Sequence, residues 1–206
     1  MINHQVLNYV PVNSLNYIKK IISEDNLVIK VVKERKTKHG DFRKLKNGFN
    51  QITLNYNKNQ YRFLITLIHE LAHFKVSTNI NKNLRPHGIE WKMTFQKMML
   101  PILNNKIFPE KILSKLAKHL ISPRASSDSD TDLVVSLNEY DFNNDNKCFL
   151  YDILNDNLFE YRDSKIYKKI NKLRKRYICE EIKTGKKYLF SPVCRVKKIN
   201  YEKSSG

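Results

Sequence analysis

The feature that most constrains this chain is an apolar segment at residues 60–76 that contains two histidines and a glutamate. Large hydrophobic residues recur in it at the spacing of an α-helix, so the sequence predicts a helix with one face in a core. His69, Glu70 and His73 fall inside this helix, where polar side chains are costly to bury without partners. The segment therefore predicts a buried helix whose polar groups serve a common ligand.

The same three residues match the pattern H-E-x-x-H. Residues i and i+4 of a helix share one face, so the imidazoles of His69 and His73 can bind one zinc ion. Glu70 would lie beside the metal without ligating it, where it can accept a proton from the water that attacks a carbonyl group. We predict His69 and His73 as zinc ligands and Glu70 as the catalytic base.

A third ligand must follow this helix, because a catalytic zinc usually has three protein ligands and one open position. His87 is the main candidate, since Pro86 and Gly88 place it in a turn where the chain can double back. Glu90 is the alternative and the only acidic residue nearby. We expect His119, further along, to lie on a helix surface.

His69, Glu70 and His73, followed by the segment Pro-His-Gly-Ile-Glu-Trp at 86–91, resemble the SprT-like (Spartan-related) family of zinc metallopeptidases. The resemblance runs from about Leu27 to about Met99. It implies a zincin-like catalytic domain, one zinc ion, and an endopeptidase acting on proteins associated with DNA. The metzincin pattern does not fit, because FKVSTN, which follows His73, offers neither the glycine nor the third histidine.

In that family a zinc ribbon with two C-x-x-C pairs often follows the catalytic part. Here Tyr151 stands three residues after Cys148, and Ile182 three residues after Cys179. Two thiolates are too few for a closed zinc site, and Cys194 could add a third only in an unusual fold. The resemblance thus implies a zinc-ribbon-like module without metal. Its core would contain Tyr151, Phe159, Tyr161, Tyr177, Tyr188 and Phe190.

The remaining patterns predict an α+β fold with two parts. Further helices are expected at 13–24, 89–100 and 110–121, strands at 27–34 and 51–56, and a hairpin turn at His39-Gly40. Residues 1–122 would form the catalytic domain, with a small sheet packed against the H-E-x-x-H helix. The Ser- and Asp-rich residues 123–132 would be a linker, and residues 133–206 a small antiparallel β module.

The chain carries a formal net charge of +18. That charge favours an acidic partner such as nucleic acid or a membrane surface, although a lysine-rich proteome is an equal explanation. The densest basic segment is 165–176, which interleaves Tyr167 with cations that can neutralise phosphates. The candidate nucleic-acid contacts are Lys165, Lys168, Lys169, Lys172, Arg174, Lys175 and Arg176. The alternative is the solvated face of an amphipathic helix with Ile166, Ile170 and Leu173 inward.

Compartment is indicated by what the sequence lacks. The N-terminus has no basic stretch followed by an apolar run, and no segment reaches the length of a transmembrane helix. The three cysteines are odd in number and widely spaced, which is unlike a disulfide framework. We expect a cytoplasmic protein without a membrane partner.

Three functions remain open from the sequence. The first is a zinc endopeptidase that cleaves a protein substrate, with DNA as a possible further partner. The second is a non-proteolytic nucleic-acid-binding protein that keeps a zinc site, against which the intact Glu70 argues, because a structural zinc needs no base. The third is a metal-dependent hydrolase acting on a non-peptide substrate.

Overall fold

The computed structural model describes residues 4–23, 25–35, 38–56, 59–79, 85–141 and 146–199. It divides into two compact units, Met1–Phe142 and Asn143–Gly206. Among the described residues, no helix has the length and apolar character needed to cross a bilayer.

The first unit combines helices with one small sheet. Its helices are α1 (Leu15–Ile21), α2 (Gln60–Asn79), α3 (Ile89–Met99), α4 (Glu110–Ile121) and α5 (Thr131–Asn138). Its strands are β1 (Leu27–Val32), β2 (Gly40–Lys44) and β3 (Asn50–Asn55), in the order β1-β3-β2. β1 runs parallel to β3 and β2 antiparallel to it.

The predicted hairpin with its turn at His39-Gly40 is wrong, because β3 lies between β1 and β2 and Gly40 begins β2. The connection from β1 to β2 is held by the last residue of β3. The Asn55 side-chain amide donates to the carbonyl oxygens of Arg35 at 3.1 Å and Lys38 at 2.7 Å. These bonds fix the point at which β2 starts, directly over α2.

α2 is the central element of this unit. Leu64, Leu67, Ile68 and Leu71 are fully buried, and the helix contacts β2, β3 and α3. Each such side chain contributes about 1.5–3 kcal/mol by leaving water, so packing fixes the rotation of the helix. The helix predicted at 60–76 is confirmed and extends to Asn79.

α5 corrects the predicted organisation of residues 123–142. Asp130 caps this helix, since its carboxylate accepts from the Leu133 backbone N–H at 3.3 Å. Leu133 and Leu137, one helical turn apart, lie in the core of the first unit. The β module predicted to begin at 133 therefore begins later, and the segment belongs to the first unit, which ends at Phe142 and not at 122.

The second unit is an antiparallel sheet, as the sequence predicts. Its strands are β4 (Cys148–Phe149), β5 (Leu158–Tyr161), β6 (Lys165–Lys172), β7 (Tyr177–Glu181), β8 (Lys187–Phe190) and β9 (Arg195–Lys198). They lie in the order β4-β9-β5-β6-β7-β8. The buried core includes Phe159, Tyr167, Tyr177, Cys179 and Phe190. Tyr151 and Tyr188, expected in that core, are 38% and 40% exposed.

The helix considered for residues 165–176 is wrong. These residues form β6 and the turn to β7, in which the Leu173 N–H donates to the Arg176 carbonyl at 2.7 Å. Ile166 and Leu173, expected to point inward, are 40% and 45% exposed.

Candidate metal centre

Three histidines of the first unit point their ring nitrogens at one another. α2 presents His69 and His73 on the same face, one turn apart. The Nε2 atom of His87 lies 3.0 Å from Nε2 of His73 and 3.2 Å from Nε2 of His69. The structure thus brings together the three residues that the sequence predicts as metal ligands.

The spacing of these nitrogens fits a metal ion. Zinc–nitrogen bonds of about 2.0–2.1 Å in tetrahedral geometry separate two ligand nitrogens by about 3.3 Å. A neutral imidazole has one N–H and one lone pair, so three converging Nε2 atoms cannot all satisfy one another by hydrogen bonds. A cation that accepts three lone pairs removes this conflict.

The electrostatics of the cluster keep the imidazoles neutral, which metal binding requires. Burial lowers the pKa of His69 to about 3, and the neighbouring histidines add to the effect. Burial, together with His87, lowers the pKa of His73 to about 4. Burial also lowers the pKa of His87.

His87 is held in a backbone conformation that few residues adopt. In the turn from Arg85 to Gly88, the Gly88 N–H donates to the Arg85 carbonyl at 2.9 Å. Pro86 occupies the second position of this turn, and His87, at the third, has a φ of 57°. Glycine or asparagine is usual at such a position, and another side chain there costs about 1–2 kcal/mol. A strained residue at a site of convergent ligands indicates function.

Trp91 forms the floor of the cluster. Its ring centroid lies 4.6 Å from that of His69, 5.3 Å from His73 and 4.7 Å from His87. Its indole N–H donates to the His69 carbonyl at 3.4 Å, and the ring stacks on Phe95 at 5.1 Å. The side chain is 2% exposed, so the rings have little freedom to reorient. In the sequence, Trp91 ends the segment that carries the SprT-like resemblance and falls on the apolar side of the predicted helix, but its contact with the three histidine rings was not predicted.

Glu70 is buried, with 7% of its surface exposed. Within the part of the chain that the structure describes, its carboxylate has no hydrogen-bond or ion-pair partner. A buried carboxylate without partners is destabilising, which points to a role with a bound ligand or water.

Gly40, the first residue of β2, covers this carboxylate. A Cβ atom at Gly40 would lie 2.6 Å from Glu70 Oε1 and 2.7 Å from Glu70 Cγ, closer than nonbonded atoms allow. The absence of a side chain at Gly40 therefore sets the position of the Glu70 carboxylate. The sequence predicted Gly40 in a hairpin turn, and the signal that it offers for a special role is the scarcity of glycine, with five in the chain.

Burial raises the pKa of Glu70 to about 8, and the charge of Asp41 adds to the rise, whereas Arg35 and Lys38 oppose it. A divalent cation held by the adjacent imidazoles acts in the same direction as Arg35 and Lys38, because it favours the carboxylate.

His119 is not the surface residue that the sequence predicts, because it is 5% exposed. Its Nδ1 atom lies 3.0 Å from Asp130 Oδ2, which joins the end of α4 to the start of α5. The buried ring faces inward on a helix whose outer side is basic, and the sequence alone does not reveal its Asp130 partner.

Glu90, the alternative third ligand, stands outside the cluster. Among the described residues, the histidines, cysteines and acidic residues that group closely enough to hold a metal are His69, His73 and His87. In the second unit, Cys179 is buried in the core, with Cys148 and Cys194 packed against that core.

The seven residues predicted to contact nucleic acid differ in their burial and in their ion pairs. Lys169 is 3% exposed, and its ammonium donates to the carbonyl oxygens of Leu150 and Ile153 and lies 3.8 Å from the centre of the Tyr177 ring. Its inclusion is wrong, since a buried ammonium cannot reach a phosphate.

Two more of the seven make ion pairs within the unit. Lys165 pairs with Glu181 at 3.2 Å, and Lys168 pairs with Asp156 at 2.9 Å. The others are exposed at the β6–β7 turn, and we call them the hairpin cations: Lys172, Arg174, Lys175 and Arg176.

The comparisons with known proteins give one match. Residues 24–95 of the 206 match the Peptidase_M78 family model, described as the IrrE N-terminal-like domain. The matched region includes His69, Glu70, His73 and His87. It indicates a metallopeptidase-like domain, from a family related to the SprT-like family but distinct from it. No curated protein and no solved structure matches the chain.

Proposed function

We propose that this protein is a zinc-dependent endopeptidase in which His69, His73 and His87 hold one zinc ion and Glu70 is the catalytic base. The observation that carries the proposal is the convergence of three neutral imidazole nitrogens, with a buried carboxylate next to His69 on the same helix. Zinc bound there supplies Lewis-acid chemistry, because it makes water more acidic and polarises a carbonyl group.

The task of Glu70 is proton transfer. Its carboxylate accepts a proton from the water that attacks the scissile carbonyl carbon, and then delivers that proton to the departing amine nitrogen. Because the described residues give the carboxylate no partner, its lone pairs are available to the attacking water. Gly40 keeps the carboxylate close to β2 and leaves it room on that side.

The chemistry of the site supports catalysis over a structural metal. A structural zinc usually has four protein ligands, and the described residues supply three. A structural site also has no need of Glu70, whose burial opposes folding. The similarity to a metallopeptidase-like domain over residues 24–95 supports the same reading.

We further propose that the substrates are proteins associated with DNA, and that the hairpin cations contact the nucleic acid. The support is the net charge of +18 and the presence of Lys172, Arg174, Lys175 and Arg176 within five exposed positions. Cations at this density neutralise successive phosphates and release counterions.

The test is hydrolysis of an intrinsically disordered protein by wild type and by Glu70→Gln, each with and without single-stranded DNA. We expect cleavage by wild type, faster with DNA, and none by Glu70→Gln at equal zinc content, because the amide cannot accept a proton. Cleavage by both proteins at one rate would exclude Glu70 as the base. Cleavage that DNA does not change would remove the DNA part of the proposal. DNA binding without any cleavage would favour the non-proteolytic alternative.

A further inference from the structure

A groove of about 890 Å³ opens beside the metal centre of the first unit. His87 lines it, so the groove leads directly to one of the three proposed ligands. Its walls come from the turn before α3, from α3 and α4, and from the segment after α4. The lining residues used below are Arg85, Ile89, Lys92, Lys118, Arg124 and Asp130.

The groove has an excess of positive charge. Arg85, Lys92 and Lys118 make no ion pair with any residue that the structure describes. Arg124 donates to the Ser129 carbonyl oxygen at 2.6 Å and keeps its charge. Cations around a concave surface concentrate the field and attract anions.

Asp130, the one carboxylate among the lining residues, offsets only one of the four positive charges. Asp130 Oδ2 lies 3.0 Å from His119 Nδ1, and Oδ1 accepts from the Leu133 N–H at 3.3 Å. Both oxygens are therefore engaged in joining α4 to α5. Ile89, 68% exposed, gives the rim an apolar surface on which a side-chain stem can pack.

We propose that this groove is a substrate subsite that selects acidic side chains close to the scissile bond. The proposal rests on the proposed peptidase function and adds the substrate class. His87 belongs both to the histidine cluster and to the groove lining, so a peptide whose carbonyl group lies at the metal centre can extend its neighbouring residues into the groove. Asp and Glu side chains there pair with Lys92, Lys118 and Arg85, whereas Lys and Arg side chains are repelled.

An acidic peptide fits this groove better than a nucleic acid does. A volume of about 890 Å³ accommodates a few side chains and matches the size of ligand clefts. A phosphate backbone in the same place would occupy the path by which a peptide reaches the metal centre.

The test measures binding without hydrolysis. Zinc-loaded Glu70→Gln protein is titrated with two fluorescent pools of ten-residue peptides. The acidic pool contains Asp and Glu at the positions where the neutral pool contains Asn and Gln, and the pools are otherwise identical. Two further proteins carry Glu70→Gln with Lys92→Gln and Lys118→Gln, or with Lys19→Gln and Lys20→Gln. The second pair removes the same charge from the exposed end of α1, outside the groove lining.

We expect the acidic pool to bind about fivefold more tightly, the effect of two partly exposed ion pairs, and the preference to fall as salt rises. The preference should disappear in the Lys92/Lys118 variant and persist in the Lys19/Lys20 variant. Equal binding of the two pools, or equal loss in both lysine variants, would overturn the proposal. So would a single-stranded oligonucleotide that binds through Lys92 and Lys118 and displaces the acidic pool.

These outcomes are separable from the peptidase proposal. If wild type cleaves no protein but the groove selects the acidic pool through Lys92 and Lys118, the peptidase function fails and the selectivity stands. If wild type cleaves proteins but the pools bind equally, the selectivity fails and the peptidase function stands.

Discussion

At the scale of single residues, we expect that adding one methyl group at Gly40 lowers the catalytic rate and leaves metal binding unchanged. In Gly40→Ala, the added Cβ atom would lie 2.6 Å from Glu70 Oε1. The carboxylate, which ends a flexible side chain, must then move. A displaced catalytic group of this kind lowers the rate by about 100-fold. We expect that loss in kcat for the disordered protein substrate.

The controls for Gly40→Ala are the zinc content of the variant and its thermal stability. Zinc content and thermal unfolding should stay close to wild type, because the atoms nearest to the added Cβ belong to the flexible Glu70 side chain and not to a histidine. A variant with full activity would show that the position of Glu70 does not matter. A variant that loses zinc would link β2 to the ligands.

A second prediction for a single residue concerns the backbone strain at His87. His87→Gly and His87→Ala both remove the third ligand and should both lose zinc. In metal-free protein, His87→Gly should be more stable than His87→Ala by roughly 1 kcal/mol, because alanine keeps the steric strain of a positive φ. Urea unfolding in the presence of a chelator measures the difference. Equal stabilities would mean that the turn relaxes once the histidine is gone.

The sequence predicted the residues of the site that depend on local pattern. The i, i+4 spacing gives His69 and His73, and the Pro-His-Gly turn gives His87. The roles of Gly40 and Trp91 were not predicted, because they arise from contacts between elements that are distant in sequence. Gly40 matters only because β2 crosses Glu70, and Trp91 only because α3 folds back onto α2.

At the scale of elements, α5 depends on Asp130. This carboxylate caps the helix and also holds the buried His119 ring. Asp130→Ala removes a cap, which costs about 1 kcal/mol, and leaves a buried ring nitrogen without its partner, which costs about 1–3 kcal/mol. We expect a loss of roughly 2–4 kcal/mol in the free energy of unfolding, measured by urea titration.

The matched control is Asp132→Ala in the first turn of the same helix, where the side chain is exposed. It loses only a favourable interaction with the helix dipole, about 0.3–1 kcal/mol. If the two variants lose the same stability, the cap and the His119 contact do not hold α4 and α5 together.

β6 shows why an element can be misread from sequence. Ile166, Ile170 and Leu173 are spaced by four and three residues, which imitates a helix. The inward positions of the strand are Tyr167 and Lys169, and an inward lysine hides the alternation typical of a strand. The buried ammonium of Lys169 is stabilised by the carbonyl oxygens of Leu150 and Ile153 and by the Tyr177 ring. These partners are unknown before the fold is known.

At the scale of the whole molecule, the charge of +18 has two explanations that salt distinguishes. If the hairpin cations contact phosphates, single-stranded DNA binding should weaken steeply with salt. Changing Lys172, Arg174, Lys175 and Arg176 to Gln should lower the slope of log K against log salt by about 0.7 for each lost contact. Zinc content should not change, because the proposed ligands lie in the other unit.

The control removes exposed lysines from the same unit, by changing Lys183, Lys186, Lys187 and Lys198 to Gln. Its slope should stay closer to that of wild type than the slope of the hairpin variant. Equal slopes for the two variants would mean that binding follows total charge, and that the hairpin has no special role.

The central claim, a single zinc ion on three histidines, is tested most directly by the metal content of the purified chain. We expect about one zinc per chain in wild type and in Glu70→Gln, because the amide leaves the ligands in place, and almost none in His87→Ala. Elemental analysis of protein never exposed to a chelator provides the number. Wild-type protein without zinc, or His87→Ala with a full complement, would contradict the account.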